Sequence, residues 1–197
     1  IPFRQRFSHA SATRVATSSL WVEALADDGL TGVGESCPRP YVTGETLDSA
    51  RDFFHAMRAD VMAEIHDAAT LRAWVADHAG VIDRHPAAWC AIELALIDLF
   101  SRQAGQTAEA WLGLPATSGT FCYSAVLGDA DPDVFAATFA RYREAGLTDF
   151  KLKLSGNLAR DRAKLAVLAA AGPAVARLRL DANNLWRDAN AAIAWLA

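Results

Sequence analysis

From residue 121 onward, short apolar runs of strand length alternate with amphipathic stretches of helix length. Residues 121–127, 149–154 and 176–181 read as strands, and 133–145, 159–171 and 187–197 as helices. Strands separated by helices are not joined by hairpins, so consecutive strands lie parallel and are linked by right-handed crossovers. Three such βα units open either a doubly wound sheet or a (β/α)8 barrel. The loop after the first strand, Leu127-Gly128-Asp129-Ala130-Asp131, is acidic and lacks the glycine spacing of a phosphate loop, which disfavours a dinucleotide fold.

The preceding residues have a different character. Residues 13–24 alternate well enough for a strand, Asp27-Asp28-Gly29 marks a hairpin turn, and residues 30–35 form the returning strand. Pro38, Pro40 and Gly44 make a loop, after which Thr46 caps a helix running to about residue 62. Helices follow at 68–78 and 87–103, the second strongly apolar with Gly105 just beyond it. Two strands and three helices make an α+β module over residues 1–112, residues 113–118 form a turn-rich linker, and 119–197 hold the βα units.

The formal charge of −4 argues against a nucleic-acid or anionic-membrane partner, and no apolar run reaches the length of a membrane span. Cys37, Cys90 and Cys122 are scattered and odd in number, so neither a disulfide framework nor a metal knuckle is indicated, and the reducing cytoplasm is the expected compartment. The chain begins Ile1-Pro2 without a methionine and stops inside an alanine-rich helical pattern, so the expectation is a piece of a longer protein.

Lysine is depleted in strands, yet Lys151 and Lys153 share one face of an apolar run while Leu152 and Leu154 share the other. Lys153 and Asp181 fall near the carboxyl ends of consecutive strands, where parallel α/β folds bind their ligands. A carboxylate for a hard cation beside two amines suits chemistry on a substrate anion, with a lysine as general base. The plainer alternative is that the lysines reach the rim and pair with an acid.

Other polar residues read as structural. His9, His55, His66, His78 and His85 have no metal-ligand spacing. Glu35 ends the hairpin, and Glu45 precedes a helix whose N-terminus favours its charge. Glu93 and Asp98, on the apolar helix, are expected to pair with strand-end or loop backbone. Trp74, Trp89 and Trp111 are expected to pack rather than to stack on a ligand.

Three pieces then carry a likeness to a family. They are Gly32-Val33-Gly34-Glu35 leading to Pro38-Arg39-Pro40-Tyr41-Val42-Thr43-Gly44-Glu45-Thr46; Ala88-Trp89-Cys90-Ala91-Ile92-Glu93-Leu94-Ala95-Leu96-Ile97-Asp98-Leu99 with Trp111-Leu112-Gly113; and Lys151-Leu152-Lys153 with Asp181-Ala182-Asn183. In this order they resemble the enolase superfamily, in its muconate-lactonizing-enzyme branch, which includes dipeptide epimerases and o-succinylbenzoate synthases. The resemblance implies an α+β capping domain followed by the first three βα units of a TIM barrel.

It also implies roles. Lys153 would remove the proton alpha to a substrate carboxylate, giving an enediolate. Lys151 would face that carboxylate and help hold the pKa of Lys153 down. Asp181 would be the first of three carboxylate ligands to Mg2+, with Mn2+ as the alternative ion, and Asn183 would orient that ligand. The loop at residues 8–14 would close over the barrel mouth, with Arg14, or Arg39 and Tyr41, meeting a distal group of the substrate.

The family pattern needs two further acidic ligands and an opposing lysine on later strands, and the residues after Asn183 are too few for another βα unit. The segment alone is therefore expected neither to hold Mg2+ usefully nor to turn over, and its open barrel to expose apolar surface. The expected parent is a racemase or epimerase of a dipeptide or N-acyl amino acid, homo-oligomeric in full-length form. Cycloisomerisation of a muconate-type diacid and o-succinylbenzoate synthesis are the alternatives within the branch. A non-catalytic truncated module that only binds or oligomerises is the alternative of another class.

Overall fold

The computed structural model describes residues 1–9, 12–183 and 185–196. By their contacts these residues form two compact units, one of Thr17–Gly119 and one of Ile1–Ala16 with Thr120–Ala197. The division lies between Gly119 and Thr120, just beyond residues 113–118. Residues 1–16 differ from the expected grouping: they cluster with the βα units rather than with the α+β module.

In the Thr17–Gly119 unit an antiparallel pair packs on helices. The chain's first two strands are β1 (Pro2–His9) and β2 (Ala12–Ala16), and those of this unit are β3 (Leu20–Leu25) and β4 (Thr31–Ser36). The strand expected over 13–24 is thus two strands, and β1 was not anticipated. The break between them has a physical cause. Arg39 donates to Ser18 O at 3.1 Å and to Thr17 Oγ1 at 2.7 Å, holding residues 17–19 out of a ladder.

Five helices follow: α1 (Leu47–Glu64), α2 (Ala68–Asp77), α3 (Ala79–Ile82), α4 (Pro86–Gln103) and α5 (Ala108–Trp111). Helices α1 and α2 start where a short polar side chain can accept orphan N–H groups: Thr46 and Ser49 form a reciprocal capping box on α1, as do Asp67 and Thr70 on α2. Helix α4 has no cap of its own. Pro86 fills its first turn, and the buried carboxylate of Glu45 accepts from Ala87 N and Ala88 N at 2.8 and 2.9 Å. Glu45 therefore serves the N-terminus of α4, not that of the helix it precedes, because a carboxylate gains most where it both accepts N–H groups and meets the positive end of a helix.

Helix α4 lies directly on β4. A Cβ at Gly34 would run into Ala91 O, and one at Gly32 into Ala95 O, so the two elements meet backbone to backbone. Gly34→Ala is expected to cost about 3 kcal/mol or more, since the clash is with helix backbone that no rotamer change relieves. A urea midpoint equal to that of the parent chain would refute this. Asp98 and Arg102 of α4 also reach the β4 backbone, accepting from Val33 N at 2.9 Å and donating to Thr31 O at 2.8 Å. Asp98 thus pairs with backbone inside β4 rather than at a strand end or in a loop, and Glu93 bonds to the Trp89 side chain. Stacked Trp74 and Trp89, 4.6 Å between centroids, sit in the core with Phe53, Leu71 and Ile92, while Trp111 stacks on Phe100.

The other unit holds the antiparallel β1–β2 pair and a parallel sheet in the order β5 (Ser124–Leu127), β6 (Asp149–Lys153), β7 (Arg177–Asp181). Helices α6 (Pro132–Glu144), α7 (Leu158–Ala170) and α8 (Ala189–Leu196) alternate with the strands, as expected from residue 121 on. Parallel register pairs Lys151 with Arg179 and Lys153 with Asp181. With period-2 alternation, Ala125, Leu127, Phe150, Leu152 and Leu154 fall on one face, where Phe135, Phe139 and Leu168 of the helices bury them.

The opposite face is mostly polar or charged, carrying Ser124, Asp149, Lys151, Lys153, Arg177, Arg179 and Asp181, but it also carries Val126, which is 40% exposed. The expected exposed apolar surface is also found on β7, where Leu178 and Leu180 remain 38% and 41% accessible. No helix among the described residues is long and apolar enough to cross a membrane.

Candidate active site

Four of the residues singled out from the sequence meet at the carboxyl ends of β6 and β7. Lys153 Nζ donates to Asp181 Oδ2 at 2.6 Å and to Asn183 Oδ1 at 2.8 Å. Lys151 Nζ lies 2.6 Å from the same Asp181 Oδ2. The convergence follows from the strand: residues two apart project from one face, and parallel register brings Asp181 level with Lys153. Just past the strand, Asn183 turns into the left-handed region at φ 45°, which asparagine tolerates better than most residues. Its backbone N–H then donates to Asp181 Oδ1 at 3.0 Å, so both carboxylate oxygens are held.

The electrostatics follow from this packing. Hydrogen bonds from Lys151 and then Lys153 hold the Asp181 carboxyl far below the usual carboxylate range, against partial burial that pushes the other way. Asp181 is therefore held as the anion at neutral pH. The nearby oxygen donors are one carboxylate and one carboxamide, the chemistry of a hard cation rather than of zinc. Asp181 is the carboxylate here that could serve a hard cation, and the Asn183 N–H restrains one of its oxygens. A full set is not present: among the described residues no group of three or more His, Cys, Asp or Glu side chains is placed to hold a metal.

Beneath the two lysines lies a charged cluster that the sequence reading passed over. Lys164 and Asp161 of α7 are buried, and Lys164 Nζ contacts Asp161 Oδ1 at 2.7 Å, Asp129 Oδ1 at 3.1 Å and Lys153 O at 3.0 Å. Asp161 accepts from Ser155 N, Ser155 Oγ and Gly156 N. Burial pushes the Asp161 carboxyl up, but Lys164 and Ser155 outweigh it and leave it below its ordinary value. A signal existed: Asp161, Lys164 and Leu168 are spaced for one helix face, so two charges occupy positions where core side chains belong.

The remaining candidates are carried by other elements. Arg14 is on β2, and Ala10 and Ser11 of the loop expected at residues 8–14 fall outside the described residues; the residues flanking them belong to β1 and β2. Arg39 and the exposed Tyr41 lie in the Thr17–Gly119 unit, where Arg39 is engaged with Thr17 and Ser18. His78 bonds to Trp74 O at 2.9 Å through Nδ1, and His85 stacks on Phe53, which gives both a packing role.

No protein-family model matches the chain. Among curated proteins, a hydrophobic dipeptide epimerase of Roseobacter litoralis is 32% identical over 180 residues, covering 88% of this chain and 50% of that protein. Among solved structures, muconate lactonizing enzyme from Mycobacterium smegmatis complexed with muconolactone superposes with a TM-score of 0.81 at 27% identity, over 94% of this chain and 50% of that one. A dipeptide epimerase from Methylococcus capsulatus, complexed with Mg and the dipeptide L-Arg-D-Lys, gives 0.78 at 28% identity, over 99% of this chain and 55% of that one. The chain spans about half the length of the curated relatives it matches.

Proposed function

Since the chain belongs to the enolase superfamily, in its muconate-lactonizing branch, we propose that it supplies the base, a carboxylate clamp and one metal ligand of an epimerase or racemase acting on a dipeptide or N-acyl amino acid. The observation that carries this reading is the meeting of Lys151 Nζ and Lys153 Nζ on one oxygen of Asp181 at the ends of two parallel strands. The substrate class rests on similarity to dipeptide epimerases and to an N-succinyl-L-Arg/Lys racemase.

Each side chain has a defined task. Lys153, the more buried amine, takes the α-proton at Nζ and is aimed by Asn183 Oδ1 and Asp181 Oδ2. Lys151, about a third exposed, is open to a substrate carboxylate from the solvent side. Asp181 would hold one position on Mg2+, and the Asn183 N–H, which donates to its other oxygen, would keep the carboxylate turned for that purpose. The ion, when bound, supplies positive charge beside the substrate carboxylate as a Lewis acid. The further ligands and an acid–base group for the opposite face of the substrate have to come from other parts of the complete protein, because one carboxylate binds Mg2+ weakly. In this reading, Arg14, Arg39 and Tyr41 belong to the segments that select the distal end of the substrate.

Proton abstraction in D2O tests the proposal. The complete protein with Mg2+, offered a panel of dipeptides and N-acyl amino acids, is expected to wash deuterium into one α-position and to invert it. Retention of every α-proton across the panel would refute the reading. Lactonisation of a muconate-type diacid, with the panel inert, would favour the second reading suggested by the muconate lactonizing structure.

A further inference from the structure

The proposed chemistry leaves a buried lysine unused. Lys164 is 4% exposed and Asp161 is fully buried, both on the helix that follows the Lys151–Lys153 strand. An ion pair is costly to bury for stability alone, so its contacts are informative. Lys164 Nζ spans the carboxyl ends of two strands: it donates to the backbone oxygen of Lys153 at 3.0 Å and to Asp129, just beyond β5, at 3.1 Å. Arg160 adds a second cation to Asp129 at 3.2 Å. Asp161 gathers the amides two and three residues beyond Lys153, Ser155 N at 3.0 Å and Gly156 N at 3.2 Å, and the Ser155 hydroxyl at 2.9 Å. The turn depends on Gly156, whose φ of +82° suits glycine and whose missing Cβ leaves room for Leu185.

The backbone oxygen of Lys153 and the amides of Ser155 and Gly156 are thus tied to α7. The Leu154 N–H between them donates to Asp181 O, and the Lys153 amine is tied to Asp181 and Asn183. A strand end fixed on both sides places Nζ reproducibly; a strand end held only by its ladder does not. Displacements of about 1 Å at a reacting group can cost about 100-fold in rate.

We propose that Lys164 and Asp161 are positioning residues for Lys153, locking the strand end so that the amine meets the substrate Cα in one geometry. This rests on the reading of Lys153 as the base. A positioning group leaves substrate affinity alone and changes the chemical step, and that separates it from a group that merely stabilises the fold.

The test uses Lys164→Met and Asp129→Asn in the complete protein. Two readouts are taken: kcat and KM for α-proton exchange, and hydrogen exchange of the Ser155 and Gly156 amides against those of α4 as an internal control. Lys164→Met is expected to lower kcat at least tenfold with KM within about twofold, and to speed exchange at residues 155 and 156 while α4 is unchanged. Asp129→Asn, which leaves Asp161 paired, is expected to give a smaller loss of the same kind and serves if Lys164→Met does not fold. Wild-type kcat in a folded variant with loosened residues 155–156 overturns the proposal, as does a loss confined to KM. A parent protein that exchanges no α-proton at all overturns instead the assignment of Lys153, an outcome recognisable before any variant is made.

Discussion

Lys153→Met is expected to lower the α-proton exchange rate of the complete protein by about 1,000-fold or more, within the range that positioned acid–base groups contribute. Methionine retains most of the stem and removes the amine, so packing against the sheet changes little. The size of the loss decides between two roles. A rim lysine that only pairs with Asp181 would be partly replaced by Lys151, which already lies 2.6 Å from the same oxygen; its removal would cost a few-fold. A base has no such substitute, because Lys151 meets Asp181 from a position two residues back along the strand. Lys153→Arg sharpens the test, since it preserves the charge but not the base. Exchange followed by NMR in D2O should show both variants inert, and a residual rate within tenfold of the parent would remove Lys153 from the reaction.

Asp181→Asn is expected to abolish activity to a similar degree and to weaken binding of Mg2+, or of Mn2+ as a spectroscopic substitute, by about 100-fold, in line with the loss of a charged ligand oxygen. The same substitution has a readout in the chain itself. Asp181 is held far below its unfolded value near 3.9 by Lys151 and Lys153. A depressed carboxyl contributes stability that is fully present above the unfolded pKa and is lost as pH falls toward the folded one. The parent chain should therefore lose stability on acidification from about pH 4.5 downward, and Asp181→Asn should lose less over that interval. Identical acid profiles for the two would show that the lysine–carboxylate contact is not formed in solution.

The two expectations differ in how they were reachable. Period-2 alternation alone put Lys151 and Lys153 on one face and Leu152 and Leu154 on the other, because side-chain direction in a strand is a local property. The βα alternation likewise implied parallel pairing, and with it the proximity of Lys153 to Asp181. The capping of α1 by Thr46 and the apolar length of α4 were equally local. What escaped notice was long-range. Glu45 caps a helix 42 residues away, Arg39 interrupts a strand 21 residues earlier, and Lys164 holds the backbone of a residue in the preceding strand. A propensity reading assigns such residues to their own segment, whereas their energy comes from another. The same limit applies to the strand expected over 13–24: its alternation is real, but in its middle Arg39 takes the Ser18 backbone oxygen and the Thr17 hydroxyl.

The sequence by itself determined which residues share a face and in what order strands and helices come, since both follow from backbone periodicity and the chirality of crossovers. It also determined the family likeness that gave Lys153 and Asp181 their meaning. Only the tertiary structure decided that both lysines close on a single carboxylate oxygen and that the uncovered sheet face is mostly polar or charged. It alone showed that a buried Lys164–Asp161 pair secures the strand end. Those outcomes depend on register and on distances between side chains far apart in the chain, where a shift of one residue would send every contact to the opposite face.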